Sequence, residues 1–90
     1  MPKVKFTSAL KRFYPDLQDT VVVGQTISEL LDHINQAYPG IRHYLIEEDG
    51  SLRKHVNIFI DQELIYDRNT LTDAVGQDDE VLIYQALSGG

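Results

Sequence analysis

The sequence is 90 residues long, 42% apolar and 24% charged, with a net charge of −6 and no cysteine. That length makes one domain with a small core, and the lack of thiols excludes a disulfide framework, a cysteine-ligated metal and thiol chemistry on any side chain. Residues 55–90 hold seven acidic residues against Arg68 alone, while residues 1–54 hold seven of each sign and sum to zero. Phosphate binding needs clustered Lys and Arg, so nucleic acid is not an expected partner. A basic protein surface is a better match, although acidity also serves solubility alone. No apolar run approaches the roughly eighteen residues of a membrane span, and nothing resembles a signal peptide. The expectation is a soluble cytoplasmic protein with no membrane partner.

Pro2 to Thr7 alternates, with Val4 and Phe6 on one face and Lys3, Lys5 and Thr7 on the other, as in a half-buried strand. Leu10 to Asp19 contains the turn signal Tyr14-Pro15-Asp16 and reads as a loop carrying Lys11 and Arg12. Thr20 to Val23 is β-branched throughout and predicts a second strand, paired with the first as a hairpin and ended by Gly24. Thr26 and Glu29 form a T-x-x-E capping box. Ile27, Leu30, Leu31, Ile34 and Tyr38 follow at spacings of three and four, which predicts a helix with one buried stripe. Asp32, His33, Asn35 and Gln36 fall on its solvated face, and Pro39-Gly40 stops it. Ile41 to Ile46 reads as a helical turn and Glu47 to Ser51 as an exposed loop.

His55 to Ile60 alternates again, with Val56, Ile58 and Ile60 inward and His55, Asn57 and Phe59 outward. Asp61-Gln62 turns the chain into a short edge strand, Glu63 to Tyr66. Leu71 to Val75 reads as one helical turn, and Val81 to Leu87 as the last strand. A crossover lets that strand insert parallel to the first. The order predicts an α+β fold, the β-grasp or ubiquitin-like architecture. Its mixed sheet of four to five strands packs on one main helix.

Ser88-Gly89-Gly90 follows this strand directly, so the sequence divides into a domain, 1–87, and a C-terminal tail, 88–90. Glycine lets a partner's backbone approach closely, and two in succession can thread a narrow channel. The terminal carboxylate, with a reference pKa of roughly 3.3–3.7, is ionised at neutral pH and can act as a nucleophile towards ATP. Gly90 is therefore the candidate reacting residue and Gly89 its companion. A frayed terminus or a cloning scar would also end in small residues.

Phe59, Leu82 and Tyr84 point away from the helix, with Lys3 and Lys5, and an aromatic beside an aliphatic on such a face is a candidate docking site. Leu87 and Ser88, at the root of the tail, complete the partner-binding set. Single exposed apolar residues are, however, ordinary. His33, His43 and His55 lack metal-ligand spacing, Asp78-Asp79-Glu80 is explained by a turn, and there is no Gly-rich phosphate loop. No metal, bound cofactor or catalytic site of its own is expected.

Gly24-Gln25-Thr26-Ile27 entering the helix, Tyr38-Pro39-Gly40-Ile41 leaving it, Val56 to Ile60, Asp78 to Val81 and the closing Ser88-Gly89-Gly90 together resemble the ThiS/MoaD family of small sulfur carriers. The resemblance spans essentially the whole sequence. It implies an activating enzyme of the ubiquitin-activating type, an adenylyltransferase and sulfurtransferase that uses ATP and Mg. That enzyme would adenylate Gly90 and leave a thiocarboxylate there. The stretch from Arg53 to Asn57 is most similar to the CysO-type carriers, which implies a pyridoxal-phosphate cysteine synthase as sulfur acceptor. The molybdopterin synthase large subunit and a thiamine pathway are the alternatives, although Gln85-Ala86-Leu87 stands where the molybdopterin carriers often have prolines. A protein modifier joined through Gly90 to lysines, and a plain β-grasp interaction domain, use the same residues.

Overall fold

The computed structural model describes residues 1–85. In chain order it contains β1 (Lys3–Phe6), α1 (Ser8–Lys11), β2 (Thr20–Val21), α2 (Ile27–Ala37), α3 (Ile41–Leu45), β3 (Val56–Ile60), β4 (Glu63–Leu64) and β5 (Glu80–Gln85). The strands form one mixed sheet in the order β2-β1-β5-β3-β4. β5 runs parallel to β1, with Lys5 opposite Leu82, and antiparallel to β3, with Phe59 opposite Leu82 and Asn57 opposite Tyr84. This is the β-grasp that the element order predicts. The predicted boundary at residue 87, together with Ala86 and Leu87 of the last strand, lies outside the described residues.

The helical stripe forms as its spacing requires. Ile27, Leu30, Leu31 and Ile34 are all buried, and they lie over the inward residues Val4, Phe6, Val56, Ile58, Val81 and Ile83. Ile41 and Leu45 extend the core from α3. No polar or charged residue is buried among those described. At the helix start the Glu29 N–H donates to Thr26 Oγ1 at 3.2 Å, and Glu29 Oε1 accepts the Gln25 N–H at 2.9 Å. The cap is thus reciprocal, but Glu29 reaches one residue further back than a standard capping box does.

Several predicted elements are corrected. The supposed loop after β1 begins with α1, whose Ala9 and Leu10 are buried, and only the part from Arg12 onward is irregular. That part is pinned by aromatics: Phe13 stacks on Tyr44 at 4.6 Å between ring centres, and the Tyr14 hydroxyl donates to the Pro39 carbonyl at 3.0 Å. Of Thr20 to Val23, only Thr20 and Val21 pair with β1 as β2. The Val23 carbonyl turns to the His33 ring instead. Gly24 then passes so close to α2 that a Cβ there would lie 2.8 Å from Leu30 Cδ2. β3 and β4 are each shorter than predicted, losing His55 and Ile65-Tyr66 respectively.

Tyr38 lies just beyond α2, as its C-cap. Asn35, expected to be solvated, instead has its Oδ1 accepting the N–H groups of Gly40 and Arg42, each at 3.1 Å. It caps α3, which starts from Gly40 at φ 91°.

Leu71 to Val75 forms no helical turn. It lies beside the start of α2, where the Ser28 N–H donates to Leu71 O at 3.0 Å and the Ile27 N–H to Asp73 O at 3.2 Å. A helix leaves its first N–H groups without internal partners, and these carbonyls supply two. A helical turn at 71–75 would have turned the same carbonyls inward. Leu71 sits at φ 61° and is 1% exposed, held in a left-handed conformation by its place in the core.

Leu31→Ala is expected to destabilise the protein by about 2–5 kcal/mol through the cavity it leaves, whereas Gln36→Ala on the exposed face should stay within about 0.5 kcal/mol. Urea denaturation of both variants checks this, and equal losses would mean that α2 is rotated about its axis.

Candidate functional site

The outward sheet face is built from alternate residues of β1, β5 and β3. On β5, Val81 and Ile83 are buried while Leu82 and Tyr84 point away from α2; on β3, Val56 and Ile58 are buried while Asn57 and Phe59 point away. Because Phe59 stands directly opposite Leu82, and Asn57 opposite Tyr84, neighbouring side chains lie roughly 4.5–5.5 Å apart at Cβ. Leu82 also faces Lys5 across the parallel β1–β5 pair. The three predicted docking residues Phe59, Leu82 and Tyr84 therefore form one continuous surface, and Tyr84 is 43% exposed.

The polar frame of this surface escapes a one-strand-at-a-time reading. Lys5 Nζ reaches Glu80 Oε1 at 3.1 Å, and both side chains remain well solvated. An exposed pair of this kind contributes little stability; here it fixes where charge sits beside Leu82. Arg68 donates through Nη1 to Asn57 Oδ1 at 3.0 Å and through Nη2 to the Arg53 carbonyl at 2.8 Å. The only cation of the acidic half thus steadies Asn57 opposite Tyr84. Its solitary charge was the one signal that sequence offered.

The loop that carries Arg68 is organised by Asp67. Its carboxylate accepts the hydroxyl and N–H of Thr70 and the hydroxyl and N–H of Thr72. These bonds, the Thr70 hydroxyl foremost, hold the Asp67 carboxyl well below the usual carboxylate range. Asp73 receives the N–H groups of Tyr66 and Asp67 and closes the loop.

Gln85 is the last described residue. Its N–H donates to Thr7 Oγ1 at 3.3 Å, and its side-chain nitrogen lies 3.3 Å from His55 Nε2. The remaining predicted site residues, Leu87, Ser88, Gly89 and Gly90, lie outside the described residues. Among the described residues no three His, Cys, Asp or Glu side chains converge as a metal site, and no helix is long and apolar enough to cross a membrane.

A parallel pairing of first and last strands, one helix packed on the sheet and an amphipathic outer face are joined by a sequence match. The ThiS family pattern covers residues 4–90. The chain belongs to the ThiS family. By sequence alone, no curated protein matches it. Among solved structures, this ThiS-family chain is similar to a chain of the Amycolatopsis orientalis BexX/CysO complex, with a TM-score of 0.85 and 22% identity over 100% of both chains. Mycobacterium tuberculosis CysO gives a TM-score of 0.83 at 22% identity, covering 97% of this chain and 100% of that one. The small archaeal modifier protein 1 of Methanosarcina acetivorans gives 0.78 at 22% identity, covering 99% and 95%. At these identities the likeness is one of fold.

The Asp67 carboxyl titrates lower in the folded protein than in the unfolded chain, so its stabilising contribution is complete above about pH 4 and is lost as pH falls below that value. Thermal midpoints measured from pH 7 down to pH 2 should fall in the acid range, and Asp67→Asn should be less stable at neutral pH with a shallower acid decline. An identical acid profile in the two proteins would mean that other carboxylates govern it.

Proposed function

We propose that this ThiS-family chain is a sulfur carrier whose reacting group is the Gly90 carboxylate. The observation that carries this reading is the extent of the family match, which continues through Ser88-Gly89-Gly90 to residue 90. Supporting it, the strand that leads to those residues is the central one of the sheet, held between β1 and β3. In the proposed reaction an activating enzyme of the ubiquitin-activating type binds ATP and Mg. A Gly90 carboxylate oxygen attacks the α-phosphorus, and pyrophosphate leaves. A reduced sulfur delivered by the same system then attacks the acyl carbon, AMP leaves, and a thiocarboxylate remains. The chain contributes the nucleophile and its presentation, and is a co-substrate rather than an enzyme.

Domain 1–87 serves as the handle and residues 88–90 as the reactive tail, with Gly89 allowing Gly90 to enter a narrow site. Phe59, Leu82 and Tyr84 dock the activating enzyme and the sulfur acceptor, and Leu87 and Ser88 follow into the channel. The acceptor we favour is a cysteine-synthase-like enzyme, in keeping with the similarity to CysO; a molybdopterin synthase large subunit or a thiamine enzyme would use the same thiocarboxylate. Dependence on ATP puts the chemistry in the cytoplasm. A second reading, conjugation of Gly90 to lysines, is favoured by the likeness to a small archaeal modifier protein. Intact mass spectrometry of the protein from its native cells separates the two: oxygen replaced by sulfur at the C-terminus marks a carrier, and a branched adduct marks a modifier.

ATP–pyrophosphate exchange with the cognate activating enzyme tests the reacting group. Deleting Gly90, or extending the chain past it, should abolish exchange with no change in circular dichroism, and Gly89→Ala should reduce it less completely. Full exchange from the extended chain would return the protein to the status of an interaction domain. Tyr84→Glu should weaken binding to the enzyme and leave the thermal midpoint within about 2 °C, because surface changes alter stability little. A large loss of stability would make Tyr84 a core residue.

A further inference from the structure

The outward face ends in a groove of about 470 Å³, lined by Phe59 and Leu82 with Asp61, Gln62 and Glu80. Its floor is the cross-strand pair Phe59–Leu82. Its rim is acidic, and the two rim carboxylates differ. Glu80 already has a cation, Lys5, at 3.1 Å. Asp61 forms no ion pair among the described residues. Its Oδ1 accepts the Glu80 N–H at 2.9 Å and its own N–H donates to the Glu80 carbonyl at 2.8 Å. The carboxylate is therefore clamped at the rim.

The backbone at this corner fixes where that carboxylate sits. Asp61 has φ 49° and Gln62 φ 74°, so both occupy the left-handed region of a two-residue turn that Asn-Gly fills with least strain. Asparagine at position 61 would suit the backbone and would still accept the Glu80 N–H. What aspartate adds there is charge.

We propose that the groove receives an arginine side chain of the activating enzyme, an inference that rests on the carrier reading above. An arginine stem is apolar and covers Leu82, while its planar guanidinium lies over the Phe59 ring and donates to Asp61. Lysine, a compact and strongly hydrated cation, fits a flat aromatic floor less well. A second copy of this chain is a poor occupant, since residues 55–90 hold seven acidic residues and one basic residue, and apposed copies repel.

The test is exchange activity with the cognate activating enzyme, measured against carrier concentration and ionic strength. Asp61→Asn keeps the turn and the bond to Glu80 while removing the charge. It should raise KM about tenfold with little change in kcat, the worth of one charged hydrogen bond, and flatten the salt dependence of kcat/KM. Phe59→Leu should raise KM as well. Glu48→Gln, which removes the same charge from the distant 47–51 loop, should leave KM unaltered. The groove inference is overturned if Asp61→Asn has the wild-type KM and salt dependence, or if sedimentation shows the protein alone to be a dimer that Phe59→Leu dissociates. Absence of exchange with the unaltered carrier overturns the carrier reading, and this inference falls with it.

Discussion

The fold depends on β5 lying between β1 and β3. Both edges of that strand are hydrogen-bonded, one to a parallel and one to an antiparallel neighbour. Its backbone polar groups are thus satisfied inside the sheet, as burial demands. Its side chains then divide by simple alternation. Val81 and Ile83 enter the core under α2, while Leu82 and Tyr84 complete the outward face. One six-residue segment therefore ties the core to the surface proposed for docking, and a shift of register by a single residue would exchange the two sets.

The second constraint is the start of α2. Its first N–H groups are met by Thr26, by Leu71 and by Asp73, so the segment 71–75 acts as a cap drawn from far along the chain. That segment is anchored in turn by the hydrogen bonds to Asp67 and Asp73. Helix, loop and β3 are linked through Arg68, which connects the same loop to Asn57. Order on the outward face thus reaches back to a cap on the opposite side of the sheet.

This coupling explains which features were legible in the sequence. Patterns that depend on one element alone were readable: the α2 stripe from its spacing, the inward and outward sets of β3 and β5 from alternation, the Thr26 cap from its partner three residues later. Phe59, Leu82 and Tyr84 came with them. Features that depend on two distant segments were not readable. The helical period of Leu71 to Val75 was overridden because its carbonyls serve α2, and Asn35 looked solvated because its partners at Gly40 and Arg42 belong to the next helix. α1 is a four-residue helix without a side-chain cap, too short to leave a period. Asp61, Glu80, Asn57 and Arg68 joined the candidate site only once the register of β5 against β1 and β3 was fixed.

The position of β5 also bears on how the protein is made. The last of the described strands in chain order is central, and its partner β1 is the first, so the decisive pairing waits until residues 3–85 have all been made. Such distant contacts slow folding. A ribosome that stops before residue 80 releases a product with a divided sheet, its β1 and β3 edges both unpaired and open to proteolysis or aggregation. Whatever follows Gln85 is consequently translated only after every strand of the sheet has been made. Topology acts as a quality check on synthesis, with a finished sheet certifying that translation reached at least residue 85.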